Sequence, residues 1–478
     1  MKSGSNKKGF NRVLNTGDVL VVAFGAMIGW GWVVSSGGWI QKAGVLGTVL
    51  GFLIGGIMIY FVGLIYAELT TAMPKCGGEH VFSYKAFGKT GSFVCTWAII
   101  LSYIGVVCFE ACSFPTVLQY IFPGFLKGYL YTVAGFDVYL SWLVVAILVA
   151  GVITVVNIRG VKAAAILQTV LTIFIAFSGI LLIAGSAIKG DISNLEGQVF
   201  GGDSTKSIIK STLSVAVIAP FFLFGFDVIP QAAEEIKVPL KKLGKLLILS
   251  IVLAVAFYGL VVFAVGYAMN KSDIDSSVSI SGLVTADAMA KVFNSSVMAK
   301  VLILGGLCGI LTSWNSFLIG GSRAMYSLAE AKMIPDCFSS LHPEFGTPLL
   351  STILIGLLSM IAPFFGRAML VWISDTASLA CCFAYFLVSL SFIKLRKIDP
   401  DMNRPYKIKH YRFVGVMAVL LTGLMVAMYI LPNTGCTLLP QEWVIAGIWI
   451  VLGLVFSVLC KIKYKEEYGV LVLSEPVE

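Results

Sequence analysis

The stretch FGAMIGWGWVVSSGG, Phe24 to Gly38, decides how the chain folds. It lies in the first hydrophobic run and puts Gly25, Gly29 and Gly31 inside what hydropathy reads as a membrane helix. A glycine in a helix interior costs about 1 kcal/mol relative to alanine, so this run is a poor helix. At membrane depth, backbone that leaves the helix is tolerated only where protein buries it or where it lines a cavity. A glycine-interrupted first span therefore points to a binding site in a transporter.

Composition sets the wider class. Of the 478 residues 58% are hydrophobic and 12% charged, with mean hydropathy +0.93; soluble globular chains carry about twice that charged share. A bilayer core of about 30 Å needs about 20 apolar residues per helix, and the chain divides into about twelve such runs. The 49 glycines suit helices that pack through small side chains in lipid. Ten cysteines are scattered without CxxC or metal spacing and read as small packing residues. The net charge of +9 would suit a nucleic-acid binder, but its distribution argues otherwise. With the N-terminus inside, alternate loops and tails on that side hold 25 of the 34 Lys and Arg, leaving 9 outside. Both termini are thus expected in the cytoplasm, and no nucleic-acid partner is expected. The stretch Met1 to Thr16 is polar and basic and no small-residue cleavage pattern follows the first apolar run, so no removable signal peptide is expected.

Segment one runs from about Asp18 to Ile40 and segment two from Gly44 to Thr70. A basic cytoplasmic loop, Met73 to Gly91, leads to a long third segment ending near Phe122. The fourth spans Val138 to Val156, and the turn Asn157 to Gly160 opens a fifth that ends near Ile188. After a polar external stretch, Lys189 to Lys206, segment six begins near Ile208. Its run FFLFGFDVIP places Gly225, Asp227 and Pro230 within apolar sequence, so that helix should break or kink as well. Interrupted spans in corresponding positions of two halves are the sequence sign of an inverted repeat with its site at the midplane. Segments seven (Leu247 to Met269), eight (Val297 to Leu328), nine (Leu349 to Phe365) and ten (Met369 to Ile393) complete the second half. The expected organisation is a cytoplasmic tail over 1–16, a first repeat over 17–188, a second over 207–396, segments eleven and twelve over 411–461, and a cytoplasmic tail over 462–478.

Several of these residues also resemble a known family. Gly25-Ala-Met-Ile-Gly-Trp-Gly31 resembles the glycine-rich first-helix motif of amino acid permeases of the amino acid-polyamine-organocation family. Ala67-Glu-Leu, followed by Pro74, Gly77, Gly78, Phe87, Gly88 and Trp97, looks like that family's second-to-third segment loop. Asn157, Gly160, Val161 and Lys162 resemble its fourth-to-fifth turn, and Phe222 to Pro239 resembles its sixth segment. Ser322-Arg-Ala-Met-Tyr-Ser-Leu-Ala329 with Pro335, and then Arg404-Pro-Tyr, add the later signatures; their order and spacing make the match strong.

The resemblance implies an all-α membrane protein of LeuT-like fold, with a 5+5 inverted repeat, discontinuous helices 1 and 6, and alternating access. Carried over by position, the substrate-binding set is Met27, Ile28, Gly29, Trp30, Gly31, Phe221, Phe224, Gly225 and Asp227. The amides around Trp30 and Gly31 would meet the substrate carboxylate, in keeping with the unpaired donors and positive end of a half-helix. Freed carbonyls near Met27, Phe221 and Phe224 would take the ammonium. Three places differ from the family pattern. Trp30 stands where a small residue is usual, with Trp32 two positions on, which crowds or reshapes the carboxylate corner. Counted from Gly160, the position where proton-coupled relatives often carry a lysine falls at Ile175. Phe122 to Asp137 contains no cysteine of the kind that tethers some relatives to a heavy chain, so no disulfide-linked partner is expected.

Among single residues, Glu110 near the middle of segment three carries the most weight. An acid at that depth costs about 2.5 to 3.5 kcal/mol unless it faces the bundle or water. It reads as a proton carrier, as an anion for a cationic substrate, or as a hydrogen-bonded acid that holds helices together. Tyr103, Glu110 and Phe114 share one helix face by spacing. Asp227 could orient the unwound backbone or meet a coupling ion. Tyr103, Trp314, Asn315 and Phe317 are candidate pocket lining, beside aromatics such as Phe222 and Phe226 that could cage a side chain or merely pack. Glu234 and Glu235, followed by Lys237, Lys241, Lys242 and Lys245, read as a solvated, mutually screened surface, or alternatively as a gate. His80, His342 and His410 fall in expected loops, with no metal or catalytic spacing.

The leading expectation is a secondary permease for amino acids in the plasma membrane, with Glu110 pointing to substrates with a positive side chain. An amine or polyamine permease is the alternative if Trp30 blocks the carboxylate corner, and a non-transporting amino acid sensor is a third reading. No nucleophile and base pair, phosphate loop, metal cluster or cofactor motif is present, so neither an enzyme nor a cofactor is expected.

Overall fold

The structure, a computed structural model, describes residues 10–432, 434 and 437–471; the outer parts of the two expected tails lie outside the described residues. Among the described residues ten helices are long and apolar enough to cross a membrane, and two shorter apolar ones, Thr16–Met27 and Leu349–Phe365, belong to segments one and nine. Helical periodicity separates a lipid face from a packed face on each. In segment five, Val161–Lys189, the exposed side chains are Ile166, Val170, Ile173, Phe177 and Ile180, while Ala164, Gln168, Thr172, Ile175 and Gly179 are buried. Large apolar groups thus face outward and small or polar ones inward, the pattern expected where lipid and not water surrounds the bundle.

Segment three, Glu79–Ile121, packs between segments eight, Ser296–Glu330, and ten, Ala368–Ile398. It begins within the stretch Met73 to Gly91 that was expected to be a loop, and passes a non-helical kink at Gly88 (φ 72°, ψ −163°). His80 is therefore no loop residue: it is buried, with Nδ1 2.7 Å from the Ser92 hydroxyl. Two further elements lie outside the span pattern. Residues Tyr129–Val133 and Phe136–Tyr139 pair as an antiparallel hairpin, closed by Ala134 (φ 48°) and Gly135 (φ 84°), two positive-φ residues of the kind that match strand twist. Helices Lys271–Ile280 and Val284–Phe293 join segments seven and eight.

Both interrupted segments are interrupted. Segment one is helical over Thr16–Met27, leaves the helix at Ile28 (φ −104°, ψ 75°), and resumes as Gly31–Val34 and Ser36–Ala43. Its start is fixed by Asn15, which accepts from the Asp18 amide at 3.1 Å while Asp18 accepts from the Asn15 amide at 3.0 Å. Segment six runs as Thr205–Ile218, tightens over Ala219–Leu223, extends at Phe224 and turns at Gly225 (φ 129°) before the short helix Val228–Gln231. The break thus falls at Phe224 and Gly225. Pro230 sits in the first turn after it, where no intrahelical donor is required.

The face that carries the N-terminal segment is tied shut. The Val13 and Leu14 amides each donate to the Glu235 carbonyl at 2.9 Å, and the Lys237 amide returns to Leu14 at 2.8 Å. The Glu235 carboxylate takes Arg323 Nε at 2.5 Å and Nη2 at 3.1 Å, with both side chains buried. Glu68 takes Arg396 at 2.6 Å, Arg404 at 3.1 Å and the Ile408 amide at 2.8 Å. The expected solvated surface at Glu234 and Glu235 is corrected by this arrangement. Nearby lysines suggested local screening, but segment eight delivers an arginine to Glu235 from far along the chain. Burial also pushes the neighbouring Glu234 carboxyl above the usual carboxylate range.

Candidate functional site

The two breaks meet in the middle of the bundle. A methyl group on Gly225 would lie 2.6 Å from Ala26 Cβ and 2.9 Å from the Ala26 backbone carbon, so segment six rests directly on segment one. Segment eight closes on the same point, since a methyl group on Gly309 would fall 2.7 Å from the Gly29 carbonyl oxygen and 2.8 Å from that of Ile28. Replacement of Gly225 by Ala is expected to abolish transport. It adds about 1–3 kcal/mol of backbone strain and a clash that only backbone movement relieves. Substrate exchange in vesicles, read beside the elution profile of the purified protein, separates this from simple loss of folding; full exchange would show that the contact is dispensable.

Beside the breaks lies a cavity of about 190 Å³. Its floor is Met27, Gly29, Trp30 and Gly31 from segment one, and Phe221, Phe222 and Phe224 from segment six close one side. Segment three contributes Phe109 and Glu110, segment seven (Leu240–Ala268) Tyr258, segment eight Ser313 and Phe317, and segment ten Ser374. Most of this wall is apolar, with few polar groups converging on it, the usual make-up of a small-molecule site. Glu110 is the one carboxylate in the wall among the described residues. It is 3% exposed, its Oε1 would lie 3.1 Å from a methyl on Gly29, and its Oε2 has no hydrogen-bond partner among the described residues.

Of the residues expected from the sequence, Met27, Gly29, Trp30, Gly31, Phe221, Phe224, Glu110 and Phe317 line this cavity. Ile28, Gly225, Asp227, Tyr103, Trp314 and Asn315 stand behind its wall. Gly225 shapes the break, and Asp227 Oδ1 accepts from the Gly225 amide at 2.9 Å. Tyr103 donates to Asp227 Oδ2 at 2.7 Å in place of facing the cavity. Asn315 bridges helices: it accepts from Asn157 at 2.9 Å and donates to Gln168 at 2.8 Å. Trp314 is fully buried. Phe114, one turn on from Glu110, does not line the cavity, to which segment three also contributes Phe109, Val106 and Gly105. Tyr258, Ser313 and Ser374 were not foreseen. Tyr258, one of two tyrosines within the apolar run of segment seven, was the only one of them with a signal in the sequence.

The local polar geometry reassigns two expectations. The Met27 carbonyl already accepts from the Tyr258 hydroxyl at 3.1 Å, and the Ile28 and Gly29 carbonyls abut Gly309. Segment one therefore has less free acceptor capacity toward the cavity than its broken helix suggests. The ring of Trp30 lies on Gly306, where a methyl group would meet it at 2.2 Å, and Trp32 is fully buried edge-on to Phe257. Glycine on segment eight makes room for the bulky ring at a position where small residues were expected.

Residues 14–456 match the family described as amino acid permease. The chain is 26% identical to the branched-chain amino acid permease BcaP of Bacillus subtilis (strain 168), with 97% of this chain and 96% of that protein aligned. It is 24% identical to the methylthioribose transporter of the same organism, over 95% and 94% of the two chains. It is likewise 24% identical to the vacuolar cationic amino acid transporter 8 of Arabidopsis thaliana, over 96% of this chain and 75% of that one.

Proposed function

We propose that this chain, which belongs to the amino acid permease family, carries amino acids with a positively charged side chain. It is a multi-pass transporter of LeuT-like, all-helical fold that moves amino acids by alternating access. The observation behind the finer reading is Glu110, a buried carboxylate in the cavity wall with one oxygen unpartnered. A cation is the ligand that best compensates such a group, and the rings of Phe109, Phe221, Phe224 and Phe317 suit the flanks of the same charge.

In this reading the amides around Trp30 and Gly31 receive the substrate carboxylate, helped by the positive end of the half-helix at Gly31. Carbonyls near Phe221 and Phe224 take the α-ammonium, because the Met27 carbonyl is engaged by Tyr258. Glu110 is left for the side chain. The placement of the Trp30 ring on Gly306 favours this over an amine or polyamine permease, whose case rested on that ring filling the carboxylate corner. The excess of Lys and Arg on one set of loops supports a plasma-membrane orientation with both termini in the cytoplasm. Neither a heavy-chain partner nor a nucleic acid is part of the proposal.

Counterflow in proteoliposomes tests it. Vesicles are loaded with unlabelled lysine, arginine, leucine, or the amines left when each loses its carboxylate, and entry of the matching labelled compound is followed without ion gradients. Exchange of lysine and arginine, with little of leucine or of any amine, is the expected pattern. Leucine exchange alone would leave the family assignment standing and remove the cationic reading, and exchange of amines alone would favour the amine permease.

A further inference from the structure

At the end of segment one away from the N-terminal face lies a second cavity, of about 150 Å³. Three elements enclose it: the last turn of segment one at Gln41, the stretch 197–203 before segment six, and the first turns of helix Lys271–Ile280. None of its lining residues lines the central cavity.

Backbone bonds build the enclosure. The Val45 and Leu46 amides begin segment two (Val45–Ala72) and have no partner within their own helix. They donate instead to the Gln198 and Val199 carbonyls at 2.8 and 2.9 Å, and the Gly201 amide donates to the Ala43 carbonyl at 2.7 Å. Gly44 (φ 74°) permits this approach, since a methyl group there would lie 2.5 Å from Phe200 Cα. On the other side the Gln41 side-chain amide donates to Asp275 Oδ1 at 2.8 Å and ties helix Lys271–Ile280 to segment one.

The charges inside are uncommitted. Asp203, Lys271 and Asp275 all line the cavity, and among the described residues none of the three forms an ion pair. Gln198, at 4% exposure, lines it too. Its Nε2 donates to the Asn194 and Met269 carbonyls at 2.6 and 2.7 Å, which leaves Oε1 as a buried acceptor with no partner among the described residues. A simple anion here would meet two carboxylates, and a bare cation would meet the Lys271 ammonium. A ligand that carries both signs, with one positive group in excess, complements all three side chains. Free amino acids with a cationic side chain have that pattern. They also have the size, since the central cavity proposed to hold them measures about 190 Å³.

We infer that this cavity is a peripheral binding site for such amino acids, separate from the one at the helix breaks. Lys271 receives the carboxylate, while Asp203, Asp275 and Gln198 Oε1 receive the two positive groups.

The inference rests on the cationic reading of the central cavity, and the test keeps the two apart. Purified full-length protein is titrated with labelled lysine up to about 1 mM by equilibrium dialysis. Two lysines per chain are expected. The double variant Asp203→Asn with Lys271→Gln should bind one, and Glu110→Gln should bind one at the peripheral site. If the double variant does not elute as the wild type does, Lys271→Gln alone takes its place and is read in the same way. A single wild-type lysine that disappears in Glu110→Gln and persists in the double variant overturns the inference and leaves the cationic reading standing. A single lysine with the opposite dependence supports the peripheral site and removes the cationic reading of the central cavity. Two lysines in the double variant, or none in the wild type, overturns the inference. Competition in Glu110→Gln reads the ligand class: the amine left when lysine loses its carboxylate should displace the label about five-fold more weakly than lysine, because it offers nothing to Lys271. Equal displacement by the two compounds overturns the assignment of a zwitterion.

Discussion

Lysine and arginine counterflow is expected to fall about 30-fold or more in Glu110→Gln, while leucine exchange, if any, changes little. Truncating one partner of a buried charge pair costs about 2–5 kcal/mol, and about 2 kcal/mol corresponds to roughly 30-fold in affinity. Glutamine keeps the shape of the side chain and one acceptor oxygen, so the packing against Gly29 and Ser313 survives and the loss reports charge. The group sits in the wall at 3% exposure, too buried for salt in the buffer to screen what it does to a bound cation. The effect should accordingly be nearly the same at low and high ionic strength. Undiminished exchange of cationic substrates would place Glu110 among acids that merely hold helices together. Equal losses for every substrate would point to the α-ammonium as its partner.

The second large effect is expected at the N-terminal face. Glu235→Ala leaves the Arg323 guanidinium, itself 1% exposed, without its countercharge, and breaking a buried pair in this way costs about 3–5 kcal/mol. Thermal unfolding in detergent should register a clear loss. The double variant Glu235→Leu with Arg323→Met is expected to recover most of it, because the desolvation cost of both charges disappears together. The exposed pair Lys291 with Asp273, at 2.6 Å, is the control: removing it should change stability by less than about 1 kcal/mol. A Glu235→Ala protein as stable as the control variant would mean that water reaches the pair. If instead stability recovers in the double variant but exchange does not, the pair matters for closing this face as well as for folding.

Much of this was legible in the sequence because it follows from local chemistry. The membrane class comes from apolar runs of span length, and the breaks in segments one and six fall beside Gly29, Gly31 and Gly225, which weaken a helix wherever they stand, while Gly25 stays within the helix Thr16–Met27. Met27, Gly29, Trp30, Gly31, Phe221 and Phe224 reach the cavity for the same reason, since residues at a break are placed by the break. Glu110 could be singled out because an acid in a span is costly without a purpose.

Other features depend on partners far away in the chain, and no local pattern encodes those. Asn315 and Tyr103 are polar groups at membrane depth, and only packing shows that they bond to Gln168 and Asp227 and not to the cavity. Glu235, among lysines in sequence, is buried against Arg323, and Glu79, in an apparent loop, is buried beneath segment six. The sequence by itself determined the spans, the two broken helices and the residues at the breaks, because hydropathy and backbone strain act over a turn or two of chain. Only the tertiary structure decided which acids are paired, which keep an unpartnered oxygen, and how Gly306 accepts the Trp30 ring, because desolvation and steric fit depend on whatever the fold brings within a few ångströms.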